Sequence, residues 1–188
     1  MKIKRTICII LLLLTITALT AGCISSTRTG QSESQYVEPV YVGYAQPKEV
    51  VGSIGEIMTS KSPTYNINWA VTDRIRGAKA NAIVESGNMF NTKPYSGYEY
   101  LLYKVMVKNV GTDKYTIYPP TWEAYADGVE QTQEWVILPD KYDELGYIDI
   151  MPGASTSGWI CTQVPIGSSV RIYFEPLFYD DGMVYVPI

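Results

Sequence analysis

Histidine is absent from the chain. With it go the side chain whose unperturbed pKa suits acid–base work near neutral pH and the commonest metal ligand. Catalytic triads built on histidine, zinc sites that use it and cysteine nucleophiles paired with it are therefore excluded. Cysteine is scarce too, at three residues in 188. Cys8 and Cys23 fall near the N-terminus, which leaves Cys161 alone, and a lone thiol forms no internal disulfide. Any folded part must stand on its hydrophobic core. Cys161 has no histidine to activate it and is expected to be inert. Asn-x-Ser/Thr sequons are missing, so N-glycans are not expected. Phenylalanine numbers three against 16 tyrosines, and tyrosine favours half-buried pleated surface.

The charge that is present leans acidic. Without Lys2, Lys4 and Arg5, 12 basic residues face 19 acidic ones, a charge of about −7. Basic patches of the nucleic-acid-binding kind do not occur, so neither DNA nor RNA is expected as a partner. Docking on an anionic membrane face by charge is equally disfavoured.

Lys2, Lys4 and Arg5 precede an unbroken apolar run from Ile7 to Leu14, and Ala18–Cys23 reads A-L-T-A-G-C. This is the three-part layout of a secretory signal. Small residues before Cys23 resemble a lipobox, in which that cysteine is lipidated and becomes the new N-terminus. Thr20 stands where an aliphatic residue is usual. Two alternatives stay open: a plain cleaved signal, or an uncleaved anchor, although Thr6–Ala21 is shorter than the roughly 20 apolar residues of a span. The expected organisation is a lipoprotein signal peptide over residues 1–22, a lipidated cysteine and flexible tether over 23–47, and one domain over 48–188. A disordered Ile24–Pro47 would reach roughly 25–30 Å, enough to clear the headgroups.

From about Val51 the chain becomes a series of short β-type runs divided by turn signals. Tyr65–Val71 is one, ending in the polar stretch Asp73–Gly77. The strongest, Tyr100–Val110, places Leu101, Tyr103, Val105 and Val107 on one face and Lys104, Met106 and Lys108 on a face read as solvated. Tyr115–Tyr118 is expected to pair with it across a Gly111–Asp113 turn. Glu123–Ala126 runs into Asp127–Gly128, a hairpin signal. Gly146–Met151, Trp159–Val164, Val170–Phe174 and Met183–Val186 follow, the last after Asp181–Gly182. Arg76–Glu85 is the one helix candidate. Closely spaced strands with no long helical period predict an all-β, antiparallel β-sandwich.

Particular motifs strengthen that expectation. Gly97 opens Y-E-Y-L-L-Y-K-V-M-V-K-N, ending at Lys108–Asn109. Pro152–Gly153 leads to Gly158–Trp159, and Val164–Pro165 closes that strand. Asn88–Pro94 leads into the long strand. Together these resemble the DUF4352 family of exported prokaryotic domains over roughly Ile54–Phe174. The resemblance implies an immunoglobulin-like β-sandwich and a location outside the cell, and it carries no catalytic residues or cofactor. Thr162 departs from the phenylalanine common in the family.

Candidate sites are few. Asp140, Asp143 and Glu144, and separately Asp180 and Asp181, are acid clusters of a kind that serves glycosidases or calcium sites. Their spacing lacks EF-hand glycine and glutamate, and Asp180–Asp181–Gly182 reads as a hairpin turn, so solvated loops are expected. Asn88, Asn91 and Asn109 either line a polar pocket or close local turns. Tyr118, Trp122, Tyr125 and Trp135 supply either core or a binding face, with Trp122, Tyr125 and Trp135 the candidate face. No cofactor and no metal is expected.

These residues favour a non-catalytic cell-surface lipoprotein that presents an immunoglobulin-like module, anchored on the extracytoplasmic side by its N-terminal lipid, toward an extracellular protein or glycan. The rivals are a glycan-binding module and a carboxylate-dependent glycan hydrolase. Cys23→Ser should release the protein from membranes or leave it as an unprocessed precursor, because two lipid chains hold stably where one does not. Fractionation and gel mobility identical to wild type would refute lipidation.

Overall fold

The computed structural model describes residues 49–175 and 184–188. The signal segment, Cys23, the tether and the Asp180–Asp181–Gly182 turn lie outside these residues. The elements in chain order are β1 (Val50–Val51), β2 (Met58–Lys61), β3 (Asn66–Arg76), α1 (Ala78–Gly87), β4 (Tyr98–Asn109), β5 (Tyr115–Ile117), a 3-10 turn (Pro119–Thr121), β6 (Trp122–Ala126), β7 (Val129–Gln131), β8 (Ile148–Ile150), β9 (Ser155–Pro165), β10 (Val170–Phe174) and β11 (Val184–Pro187). They form an immunoglobulin-like β-sandwich. One sheet runs β1-β11-β10-β6-β7, the other β2-β3-β4-β9, and β5 pairs with β8. Among these pairings only β1 with β11 is parallel. No helix among the described residues is long and apolar enough to cross a membrane.

Alternation in β4 works as the sequence predicts on one face. Leu101, Tyr103, Val105 and Val107 are fully buried between the sheets, with Ile67, Trp69 and Val71 of β3, Trp122 of β6, and Ile172 and Phe174 of β10. Tyr103 donates from its hydroxyl to the Trp122 carbonyl at 2.7 Å, bolting one sheet to the other.

The opposite face of β4 is not wholly solvated. Lys108 is exposed, but Tyr100 and Leu102 are fully buried in a second core with Ala80, Ile83 and Val84 of α1, Val136, Leu138, Tyr142, Trp159 and Cys161. Helix α1 is the cause. Gly77, at φ 72°, turns the chain out of β3 into the helix, which lies back over the end of β4.

Two further expectations are corrected. β3 does not stop at Val71 but passes a bulge between Val71 and Asp73 and continues to Arg76. Arg76 explains the continuation, because its guanidinium pairs with Glu99 at 2.6 Å and donates to the carbonyls of Pro165 and Ser168. β5 pairs with β8 rather than with β4. Both edges of β4 are already taken by β3 and β9. The Asp127–Gly128 hairpin forms as predicted, with φ of 49° and 84° at its two turn residues.

Val105→Asp should abolish cooperative unfolding, since it buries a charge with no partner. Lys108→Asp, on the exposed end of the other face, should shift stability by less than about 1 kcal/mol. Chemical denaturation of both variants checks the contrast, and equal damage would contradict it.

Candidate functional site

The three residues of the expected aromatic face are not brought together. Trp122 is fully buried, its ring 5.4 Å from Phe174, and its indole Nε1 has no hydrogen-bond partner among the described residues. Alternation along β6 forces this result: Trp122, Ala124 and Ala126 point into the sandwich, so Tyr125 must point out. On the outer face Tyr125 packs edge-on against Tyr173 at 4.9 Å. Tyr118, further along, packs on Tyr147 at 5.2 Å. Only Trp135 is broadly accessible, at 78% exposed.

Trp135 sits on a strap formed by residues 132–138, which crosses the free edge of β9. Gln133 bridges to Thr162, the Glu134 amide donates to the Cys161 carbonyl at 2.8 Å, and the Thr162 hydroxyl donates to the Thr132 carbonyl at 2.7 Å. Thr162 thus fixes the strap, a role phenylalanine could not fill. Extended backbone then buries Val136 and Leu138 and turns Trp135 and Ile137 outward. Asn91 clamps the strap to the turn after α1. Its amide donates to the carbonyls of Ile137 at 2.8 Å and Val84 at 2.7 Å, and its Oδ1 accepts the Ile137 amide at 3.1 Å. Asn88 shapes that turn by accepting the Phe90 amide at 2.9 Å. Met89 and Phe90 stand 88% and 83% exposed there, and Ile137 56%. Four large apolar side chains therefore project from two segments held rigidly by one asparagine. Sequence reasoning named Trp135 alone, because the 46-residue separation of Asn91 from Ile137 leaves no local signal.

Beneath Trp135 lies a hollow of about 30 Å³ that includes Glu134, Glu144, Trp159 and Cys161. It has room for a water or two and no larger guest. Burial, and then Glu134 and Glu144, raise the Cys161 thiol well above its ordinary value, so no thiolate forms near neutral pH. A larger cleft of about 280 Å³ opens between the β2–β3 turn and the β4–β5 loop. Asn109 lies at its base, donating to the carbonyls of Asp113 at 2.7 Å and Ile150 at 3.0 Å and accepting from the Gly111 amide at 2.9 Å.

The acid cluster at Asp140, Asp143 and Glu144 is loop architecture. Glu144 accepts the Leu138 amide at 2.9 Å, and the Asp143 carbonyl accepts the Trp159 amide at 2.8 Å. Groups of three or more acids or cysteines placed to hold a metal are absent among the described residues. A carboxylate pair does occur, but elsewhere. On the outer face of β6, Glu123 is pushed up to about 7 by burial and by the negative charges of Glu175 and Glu130. Tyr125 is raised as well, by burial first and then by Glu175. The sequence signal was the outward parity of Glu123, Tyr125 and Glu175. What it could not give was the register that sets β6 beside β10.

Comparison with known proteins adds to this geometry. The DUF4352 family profile, described as a domain of unknown function, matches residues 65–184. A secreted protein of Mycobacterium tuberculosis, MPT63, superposes with a TM-score of 0.56 at 14% identity, over 75% of this chain and 98% of that one. The candidate lipoprotein YcdA of Bacillus subtilis superposes with a TM-score of 0.51 at 16% identity, over 65% of this chain. The matched part spans 36% of YcdA. No curated protein matches the sequence.

Glu123 titrates at about 7 in the fold against an ordinary 4.5, so the folded state holds a proton that the unfolded chain has released. The contribution of Glu123 to stability should accordingly be full below about pH 4.5 and be lost as pH rises through about 7. Glu123→Gln should flatten that fall and raise the thermal midpoint at about pH 8. Identical pH profiles for variant and wild type would show that the carboxyls do not interact.

Proposed function

The chain belongs to the DUF4352 family, and on that footing we propose that it is a non-catalytic binding module displayed at the cell surface, its sandwich tethered through lipid on Cys23. The charged, apolar and small-residue order of the N-terminus supports export. Neighbours of like fold described as a secreted protein and a candidate lipoprotein agree with that location.

The exposed set of Met89, Phe90, Trp135 and Ile137 carries the binding part of the proposal. Large apolar side chains gathered on backbone that is already ordered are typical of docking sites, because little entropy remains to be lost on contact. Each would gain about 1.5–3 kcal/mol if fully buried by a partner. Methionine and isoleucine offer a sugar no hydrogen bonds, so the surface suits an apolar patch on another exported protein.

A photo-crosslinking residue placed at Trp135 in the full-length protein should give a discrete adduct on intact cells. The adduct should vanish when Phe90→Asp and Ile137→Asp are added. The same residue at exposed Ile166, on a different turn, should give none. Equal labelling from both positions would overturn the proposal. Trp135→Ala should cost less than about 1 kcal/mol of stability, because the ring is already exposed.

A second reading, a carboxylate-dependent glycan hydrolase, is favoured by the raised Glu123 beside Glu175. Glycan cleavage by the wild type that is lost in Glu123→Gln would establish it in place of the first.

A further inference from the structure

The cleft between the β2–β3 turn and the β4–β5 loop belongs to neither the Trp135 surface nor the Glu123 pair. It lies where Ile67 of β3 faces Asn109 of β4, whereas α1 follows the far end of β3, where Arg76 faces Leu101. Those ends are separated by about 26 Å along the strand.

Its walls are built, not incidental. The Ser62 hydroxyl accepts the amides of Thr64 and Tyr65 and fixes one turn. Asn109 fixes the facing loop from below, through Gly111 and Asp113. Tyr65 and Tyr115 stand together in the lining, ring centroids 5.9 Å apart at 57°, with Pro63 and Val110 adding apolar surface.

Several polar groups in this lining keep donor or acceptor capacity to spare. Lys61 and Asp113 form no ion pair among the described residues, and the Asp113 carboxylate accepts only from the adjacent Thr112 hydroxyl there, at 3.2 Å. The Asn66 side chain and the Tyr115 hydroxyl make no hydrogen bond there either. Burial and the neighbouring Tyr65 push Tyr115 up to about 12, so its hydroxyl keeps its proton and can donate.

We propose that this cleft binds one neutral, polyhydroxylated ring, of the kind that ends a glycan chain. Lys61 and Asp113 cancel in charge, which favours a neutral guest over an anion or a cation. An ammonium, an amide, a phenol and a carboxylate offer interleaved donors and acceptors, and sugar hydroxyls need both. The half-buried Tyr115 in the lining offers ring surface for the C–H face of such a ring. A volume of about 280 Å³ lies at the small end of ligand sites and holds one ring, not a chain of them.

Saturation-transfer NMR on the full-length protein, with the methyl β-glycosides of glucose, galactose and N-acetylglucosamine as probes, tests the assignment. At least one glycoside should receive transfer. Asn66→Ala should weaken its binding about three- to ten-fold, the loss expected for one neutral hydrogen bond. Asp113→Asn, which keeps the loop's shape, should weaken it by a similar factor. Trp135→Ala should leave it unchanged. The inference is overturned if none of the three glycosides receives transfer. It is also overturned if glycine competes with the sugar, which would mark the site as zwitterion-binding, or if Trp135→Ala removes the signal while Asn66→Ala does not. Crosslinking from Trp135 is unaffected by any of these results, so the two proposals fail separately.

Discussion

β4 is dry on both faces from Tyr100 to Tyr103, and the other parts of the domain take their places from that constraint. A sandwich strand ordinarily buries one side and wets the other. Here Leu101, Tyr103, Val105 and Val107 fill the gap between the sheets while Tyr100 and Leu102 need a second cover. Fully burying side chains of this size contributes about 1.5–3 kcal/mol each, so leaving Tyr100 and Leu102 in water would forgo a sizeable fraction of a domain's net stability. Helix α1 supplies part of the cover and is tied to β4 by the Asn81 side chain, which accepts the Tyr100 amide at 2.8 Å. The Tyr100 hydroxyl then donates to the Thr92 carbonyl at 2.9 Å, fixing the turn that exposes Met89 and Phe90. The strap over β9 supplies the rest.

The strap and the loop that follows it approach so closely only because two residues lack side chains. A Cβ on Gly158 would strike the backbone of Leu145, and one on Gly87 would strike the Ile137 carbonyl. Glycine at these points lets the loop approach β9 and α1 at backbone distance, where Gln133 can donate to the carbonyls of Pro119 and Trp122 at 3.1 and 3.0 Å. Covering β9 in this way also blunts an edge strand that would otherwise present unpaired groups to other chains. The Trp135 surface is thus a consequence of closing the second core. Inward positions of the strap satisfy Tyr100 and Leu102, and strict alternation leaves Trp135 and Ile137 pointing out.

The parts legible in the sequence were those with a local period. Two-residue alternation identified the inner face of β4, and Asp127–Gly128 identified its hairpin from backbone chemistry alone. The same parity was available in W-E-A-Y-A of β6. Glu123 marks one face as wet, which puts Trp122 and Tyr125 on opposite sides and rules out their sharing a surface. Features set by distant segments were not legible. The β5–β8 pairing joins residues more than thirty positions apart, and nothing local distinguishes it from pairing with β4. Asn91 read as a turn residue gives no hint that it holds Ile137. Asn109 is the intermediate case. Its place at the end of β4 was legible, but its three hydrogen bonds, and the cleft they shape, depend on Ile150 arriving from elsewhere.

The location of the raised carboxyl bears on how the domain works. Glu123 is shifted by burial against its neighbours and by Glu175 and Glu130, all on the outer face of the five-stranded sheet. Register alone brings these groups together, since β6 lies between β10 and β7. Neither described hollow includes Glu123 or Glu175. A general acid for glycoside cleavage needs its proton aimed at a bound substrate oxygen as well as a raised pKa. On this sheet face burial and the neighbouring carboxylates account for the shift without a bound substrate. The cleft at Asn109 and the apolar strap surface have the opposite character. Their backbones are fixed by hydrogen bonds, and outward side chains such as Lys61, Asn66, Met89 and Trp135 make no hydrogen bond or ion pair among the described residues. That division, ordered support beneath uncommitted side chains, is what a binding module requires.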